Sequence, residues 1–223
     1  PVGDPVADPS VGAVHLDAVL GFSQIPEVDE QCSGSACQAK SQRKGAGVEL
    51  GMAVMRGFGL YAQATRESDT VREAQYEGTL DTYGGGVRLA VPIYSSLWLA
   101  STTDLRMGRS ESQPADRPPD SARGSEKKYG SSLLAVLGNP SDGGHIWFGV
   151  QRVWLWNHTL QPMRGVTLEI PLQPDRPISA VLGGTLISDA IGKPWRSGPR
   201  IRVAAEGRVG QEIGLQLSTG VSL

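Results

Sequence analysis

The sequence is short of several things that would identify common protein classes. It has no run approaching the 18 or so consecutive apolar residues that a membrane-spanning helix requires, and its mean hydropathy is -0.20, so helical membrane passage is excluded. It has no charge excess of either sign: 21 Lys and Arg stand against 23 Asp and Glu, which leaves no broad basic surface for nucleic acid. Aromatic residues make up only 6%. Cysteine occurs twice, at Cys32 and Cys37 in the polar stretch QCSGSACQ, with no nearby His to complete a zinc set. A small loop disulfide between the two is the expectation, and with it an oxidising compartment. The chain opens on Pro1, not Met, and no charged segment followed by an apolar stretch precedes it, so we read Pro1 as a mature N-terminus from which a signal peptide has been removed.

Glycine, by contrast, is plentiful at 29 residues, without any collagen-like period. The dominant pattern is period-two alternation, which places successive side chains on opposite faces of an extended chain. Val14, Leu16, Ala18, Leu20 and Phe22 share one face, and Ala13, His15, Asp17, Val19 and Gly21 share the other. Val48, Leu50, Met52 and Val54 alternate with Gly47, Glu49, Gly51 and Ala53; Val87, Leu89, Val91 and Ile93 with Arg88 and Ala90; Val166, Leu168, Ile170 and Leu172 with Thr167 and Glu169. At the C-terminal end Ile213, Leu215, Leu217, Val221 and Leu223 alternate with Gly214, Gln216, Ser218, Gly220 and Ser222. In a soluble sandwich the polar face meets water and large apolar residues fill a shared core. Here the second face holds Gly, Ala and Ser with isolated charges, the arrangement of a barrel in lipid with apolar residues outward and small or charged ones in the lumen.

The connections divide by length in the same sense. Short ones fall near residues 57–59, 94–96, 139–143 and 173–176, and long polar ones at about 25–45, 69–79, 110–128, 157–163 and 190–199. Such barrels pair short periplasmic turns with longer extracellular loops. Trp98, Trp147, Trp154, Trp156 and Tyr94 lie near strand ends, where amphipathic rings suit the headgroup level.

With its alternating segments, its two classes of connection and the terminal strand IGLQLSTGVSL, the sequence resembles the small bacterial outer-membrane β-barrel proteins as a class. The last residue, Leu223, departs from the aromatic residue usual there. The resemblance implies an all-β, antiparallel up-and-down transmembrane barrel in the bacterial outer membrane. Ten strands are expected if residues 200–223 form one long strand, eleven if GRVGQ makes another turn, and twelve if a strand is concealed in a loop; parity favours ten. Residues 1–10 then form an N-terminal periplasmic extension and residues 11–223 the barrel.

The lumen face collects His15, Asp17, Glu49, Glu67, Arg88, Asp104, Arg106, Glu169, Arg202 and Glu206, a mixed-sign network whose members stabilise one another in a poorly hydrated interior. Some barrels of this size are proteases or lipid-modifying enzymes, which need a His beside an activated Ser or an acidic partner. His15, His145 and His158 fit no catalytic spacing, so no catalytic residue, metal site or cofactor is expected. The functional expectation is a non-enzymatic anchor or scaffold in a cell-envelope assembly, its partners being outer-membrane lipid and envelope proteins met through loops or rim. A small porin-like channel and an outer-membrane enzyme are the alternatives.

Overall fold

The computed structural model describes residues 4–5, 12–32, 35–71, 76–114, 122–139, 144–161, 168–171, 178–189, 200–210 and 212–223. Among them the chain forms strands β1 (Val14–Cys32), β2 (Ser35–Met55), β3 (Phe58–Val71), β4 (Tyr76–Tyr94), β5 (Leu97–Pro114), β6 (Ala122–Asn139), β7 (Gly144–Gln161), β8 (Leu168–Pro171), β9 (Ile178–Asp189), β10 (Arg200–Val209) and β11 (Ile213–Ser222). Each strand pairs antiparallel with its neighbour, and β1 pairs with β11 (His15 opposite Ser222) while β6 pairs with β7, so the sheet closes on itself. Closure leaves no edge in lipid, where each unpaired backbone group would cost several kcal/mol.

Eleven segments make ten places in the ring. β8 pairs with the far end of β7 (Asn157 to Leu160) and β9 with its near part (Gly144 to Arg152), so the two share one place. The expected count of ten is therefore met by a different division of the chain. The Val166–Leu172 segment supplies only the short β8, and β10 and β11 form a hairpin where a single strand was expected. Gly210 takes a φ of 145° in that turn, a backbone conformation that favours glycine.

Tight turns join β2 to β3 and β4 to β5 at the end where β1 begins and β11 ends; by the rule of short periplasmic turns this end faces the periplasm. Gly57 serves the first turn with a φ of 77°, and its carbonyl accepts from the Ala90 amide at 2.7 Å, tying the turn to β4. At the opposite end much of what was expected as loop is strand. Crossing the bilayer takes about 9–11 tilted residues, whereas β2 has 21 and β4 has 19, so paired strands rise beyond the membrane as a crown. The crown is uneven, because β9, β10 and β11 have only 12, 10 and 10 residues.

The outward face carries the apolar residues. Leu16, Leu20, Leu50, Leu89, Val91, Leu182 and Leu217 are all exposed. On β4 the belt runs between two outward tyrosines, Tyr83 and Tyr94, an interval of about the right height for the ~25 Å apolar band with its aromatic girdles. Above it the outward positions turn polar, with Lys44, Arg66, Asp81, Arg109 and Lys127 all exposed.

Not every aromatic belongs to a girdle. Tyr94 and Trp154 face outward, but Trp98, Trp147 and Trp156 are buried in the lumen, contrary to the expectation for these three. Trp98 and Trp147 lie in register with lumen-facing neighbours. Trp156 is turned inward by a bulge opposite Tyr129 and Gly130, which adds one residue to β7 and reverses its phase. Trp98 and Trp147 join Ala90, Ala100, Leu134, Val136, Val181 and Ala204 in an apolar cluster inside the barrel. Glycine makes the room: a methyl group at Gly183 would overlap the Trp147 indole, and one at Gly51 the His15 ring.

The register also bears on the cysteines. Cys32 is opposite Ser35 and Cys37 opposite Glu30, a diagonal relation with Cα atoms roughly 7–8 Å apart, beyond the usual span of a disulfide. The expected disulfide thus finds no support, and the cysteine side chains lie outside those described.

Candidate functional site: a charged and filled lumen

The lumen-facing positions of ten strand places converge on a narrow interior, and nearly all the expected charges meet there. His15, Asp17, Glu49, Arg88, Asp104, Arg202 and Glu206 are buried. On the membrane-level side Arg88 donates through Nη2 to Glu49 Oε1 at 2.7 Å, and its Nη1 is 3.4 Å from His15 Nε2. Its guanidinium lies over the Tyr61 ring, 4.1 Å from the centroid. His15 Nε2 is 3.5 Å from Glu49 and 4.0 Å from Asp17, and Asp17 pairs with Arg202. Arg106 Nε donates to Asp104 at 3.1 Å. Alternating signs are what a low-dielectric interior demands, since an unpaired charge there costs several kcal/mol.

His15, Asp17 and Glu49 could offer three ligand atoms within 4.8 Å of one another. Two guanidiniums already use this set: Arg88 holds Glu49 and Arg202 holds Asp17. The trio is therefore better matched to ion pairs than to a cation.

A second network sits higher, in the crown. Arg43 Nη2 is 2.8 Å from Glu126, and its Nε is 3.2 Å from Asp69. Arg208 pairs with Glu206 and Glu212, and Lys128 reaches Glu212 at 3.2 Å. Trp156 lies beneath the two cations, with Lys128 Nζ 3.9 Å and Arg43 5.7 Å from its ring. Glu212 is in the β10–β11 turn, outside the spanning strands. Burial alone would raise its carboxyl, but the charges of Arg208 and Lys128 outweigh burial and hold it well below the usual carboxylate range. Between the networks is a cavity of about 60 Å³ lined by Gln63, Thr65, Glu67, Arg106, Lys128 and Gln216 among others, room for on the order of four waters.

Glu67 and Arg106 line this cavity, whereas the side chain of Glu169 lies outside those described. Sequence reading missed Arg43, Glu126, Lys128, Arg208 and Glu212. It also missed His145, which joins Asp4 at 2.8 Å. Arg43 shares its phase with Gly45, Gly47 and Glu49, so extending the alternation into the supposed loop would have found it. Asp4 had no such signal. It and Pro5 are buried inside the barrel, so these two residues of the expected periplasmic extension lie in the lumen.

No family model matches the chain and no curated protein resembles it. Solved structures do. The translocator domain of the autotransporter NalP from Neisseria meningitidis matches at a TM-score of 0.56 and 11% identity, covering 99% of this chain and 91% of that one. The outer membrane protease OmpT from Escherichia coli matches at 0.54 and 6%, covering 96% of each chain. The β domain of the Bordetella autotransporter BrkA matches at 0.51 and 13%, over 95% and 98%. The fold is that of a small outer-membrane β-barrel. The chain shares this architecture with a protease and with translocator domains, and at such identities the likeness extends to fold alone.

Proposed function

We propose that the protein is a non-enzymatic outer-membrane anchor or scaffold, which meets partners of the cell envelope through its crown. The observation that carries this reading is the filled lumen. The Trp98–Trp147 cluster packs one side of its periplasmic half, and the ion pairs of Asp17, Glu49, Arg88 and Arg202 bridge the remainder. Small barrels are filled by their own side chains in this way. The buried position of His15 and His145 supports the same reading, because each imidazole is already held by charged partners and a substrate would have to displace them. The crown offers paired strands above the lipid belt with exposed Lys44, Arg66, Arg109 and Lys127 at its base.

Planar-bilayer recording of the purified full chain tests the reading. We expect no steady unitary current in molar salt. Reproducible unitary conductance would overturn the filled lumen and favour a channel. Loss of a peptide- or lipid-hydrolysing activity on replacing His15 or His145 would overturn the non-enzymatic part.

A further inference from the structure

Asp4 is held as a bound ligand is held. Its carboxylate is 2.8 Å from His145 Nε2 on β7, accepts from Thr185 Oγ1 on β9 at 2.9 Å, and lies 3.4 Å from Arg202 Nη1 on β10. Three neighbouring strands thus contribute one donor each to one carboxylate, in a site where Asp4 is 3% exposed. Pro5 is among the most deeply buried side chains. The next described residue, Gly12, is back at the wall, where its amide donates to the Ala53 carbonyl at 2.8 Å near the periplasmic end. The chain therefore enters the lumen before it begins the first strand.

The polar bookkeeping shows what depends on Asp4. Arg202 keeps a second partner in Asp17. His145 Nδ1 has no hydrogen-bond partner, so among the described residues the carboxylate of Asp4 is the hydrogen-bonding partner of this buried ring, which otherwise abuts Trp147 at a centroid distance of 5.7 Å. A buried imidazole and hydroxyl left without an acceptor would each incur a desolvation penalty. Strands β7, β9 and β10 thus present three converging groups that the one carboxylate of Asp4 satisfies together.

We propose that His145, Thr185 and Arg202 form a carboxylate-binding socket in the lumen, that its ligand class is an Asp-bearing peptide, and that the chain's own Asp4 occupies it. This holds whether the barrel serves as an anchor or otherwise. The sequence provides an internal control, since the Asp-Pro pair at residues 4–5 recurs at residues 8–9.

The test uses the full chain with Cys32→Ser and Cys37→Ser, and Pro5→Cys as a reporter labelled by a charged maleimide under folded conditions. Labelling should be slow with Asp4 present, and at least tenfold faster in Asp4→Asn. Asp8→Asn should leave it slow. Equal rates in all three, or acceleration by Asp8→Asn and not Asp4→Asn, would overturn the proposal. Thr185→Val keeps the side-chain shape and removes one donor, so it carries the test if Asp4→Asn fails to reach the heat-modifiable folded form; it too should accelerate labelling, and no acceleration would count against the socket. In a second arm, a fluorescent peptide of residues 1–11 is added in trans. It should bind the Asp4→Asn full chain, not the wild type, and binding should be lost in Asp4→Asn/His145→Phe. Binding that ignores the His145 substitution overturns the socket.

Discussion

Arg88 and Leu89 are adjacent on β4, yet one is 3% exposed in the lumen and the other 48% exposed on the outer belt. Exchanging their chemistry tests the inversion of faces directly. Leu89 lies about midway between Tyr83 and Tyr94, so Leu89→Arg puts a guanidinium near the bilayer midplane at roughly 2–4 kcal/mol. Arg88→Leu removes the charge that holds Glu49 at 2.7 Å and the group stacked 4.1 Å over Tyr61. Breaking one side of a buried pair costs about 3–5 kcal/mol. The exchanged double variant, Arg88→Leu/Leu89→Arg, should lose on the order of 5–9 kcal/mol, comparable with the whole stability of an ordinary domain at ~5–15 kcal/mol. A companion variant separates lost pairing from lost charge: Glu49→Leu/Arg88→Leu removes both partners and should be more stable than Arg88→Leu alone. Urea titration in lipid vesicles, read by heat-modifiable mobility, gives the ordering. If Leu89→Arg left the midpoint unchanged, or Arg88→Leu raised it, the assignment of lumen and lipid faces would be wrong.

Other expectations follow from the same geometry. Gly183→Ala should lower the unfolding midpoint by forcing the Trp147 indole aside, and Trp fluorescence should shift with it; an unchanged spectrum and midpoint would refute the close approach. The Glu212 carboxyl is depressed in the folded chain, so its stabilising contribution is present above the unfolded-state value near 4.3 and is lost only as pH falls through the lower folded value. The stability difference between wild type and Glu212→Gln should accordingly be flat from pH 7 to 5 and shrink in stronger acid; a decline already between pH 7 and 6 would contradict it. Truncation after Gly210 removes β11 and unpairs β1 and β10 together, so membrane insertion should be abolished, and a soluble protease-resistant product would refute closure.

Much of the barrel was legible in the sequence because lipid imposes a two-residue period on outward positions between bulges. The rows Leu16 to Phe22, Val48 to Val54 and Ile213 to Leu223 were placed on the correct face for that reason. The period fails where it carries no contrast. Above the belt both faces of β2 and β4 meet polar surroundings, so strand and loop look alike, and the crown was taken for loops. Residues 200–223 looked like one strand because outward residues are odd-numbered on both sides of the turn, from Ile201 and Val203 to Ile213 and Leu215. A hairpin that conserves phase is invisible to alternation, so only the composition of GRVGQ hinted at the turn that the β10–β11 pairing shows. Trp156 failed for the opposite reason, since the β7 bulge reversed a phase that the sequence showed as continuous.

The lumen shows why charge content alone did not identify its members. A residue enters the network only if its strand phase and its height along the barrel both match those of an opposite charge on a distant strand. Phase is written locally, and it found His15, Asp17, Glu49 and Arg88. Height depends on the stagger accumulated around the closed sheet, which brings Arg43 to Glu126 across 83 residues, while Asp4 reaches Arg202 across 198 from inside the closed lumen. Those pairings are properties of closure. The first of them adds a charge-assisted contact in the crown, where the lipid belt no longer constrains the strands, so Glu126→Gln should loosen the strand ends of β2 and β6 while leaving the belt intact. Hydrogen exchange resolved by strand would show this as faster exchange confined to residues 40–44 and 123–128. Uniformly faster exchange down to Leu50 and Leu133 would mean that crown and belt unfold as one unit, and that the upper network supports the whole barrel.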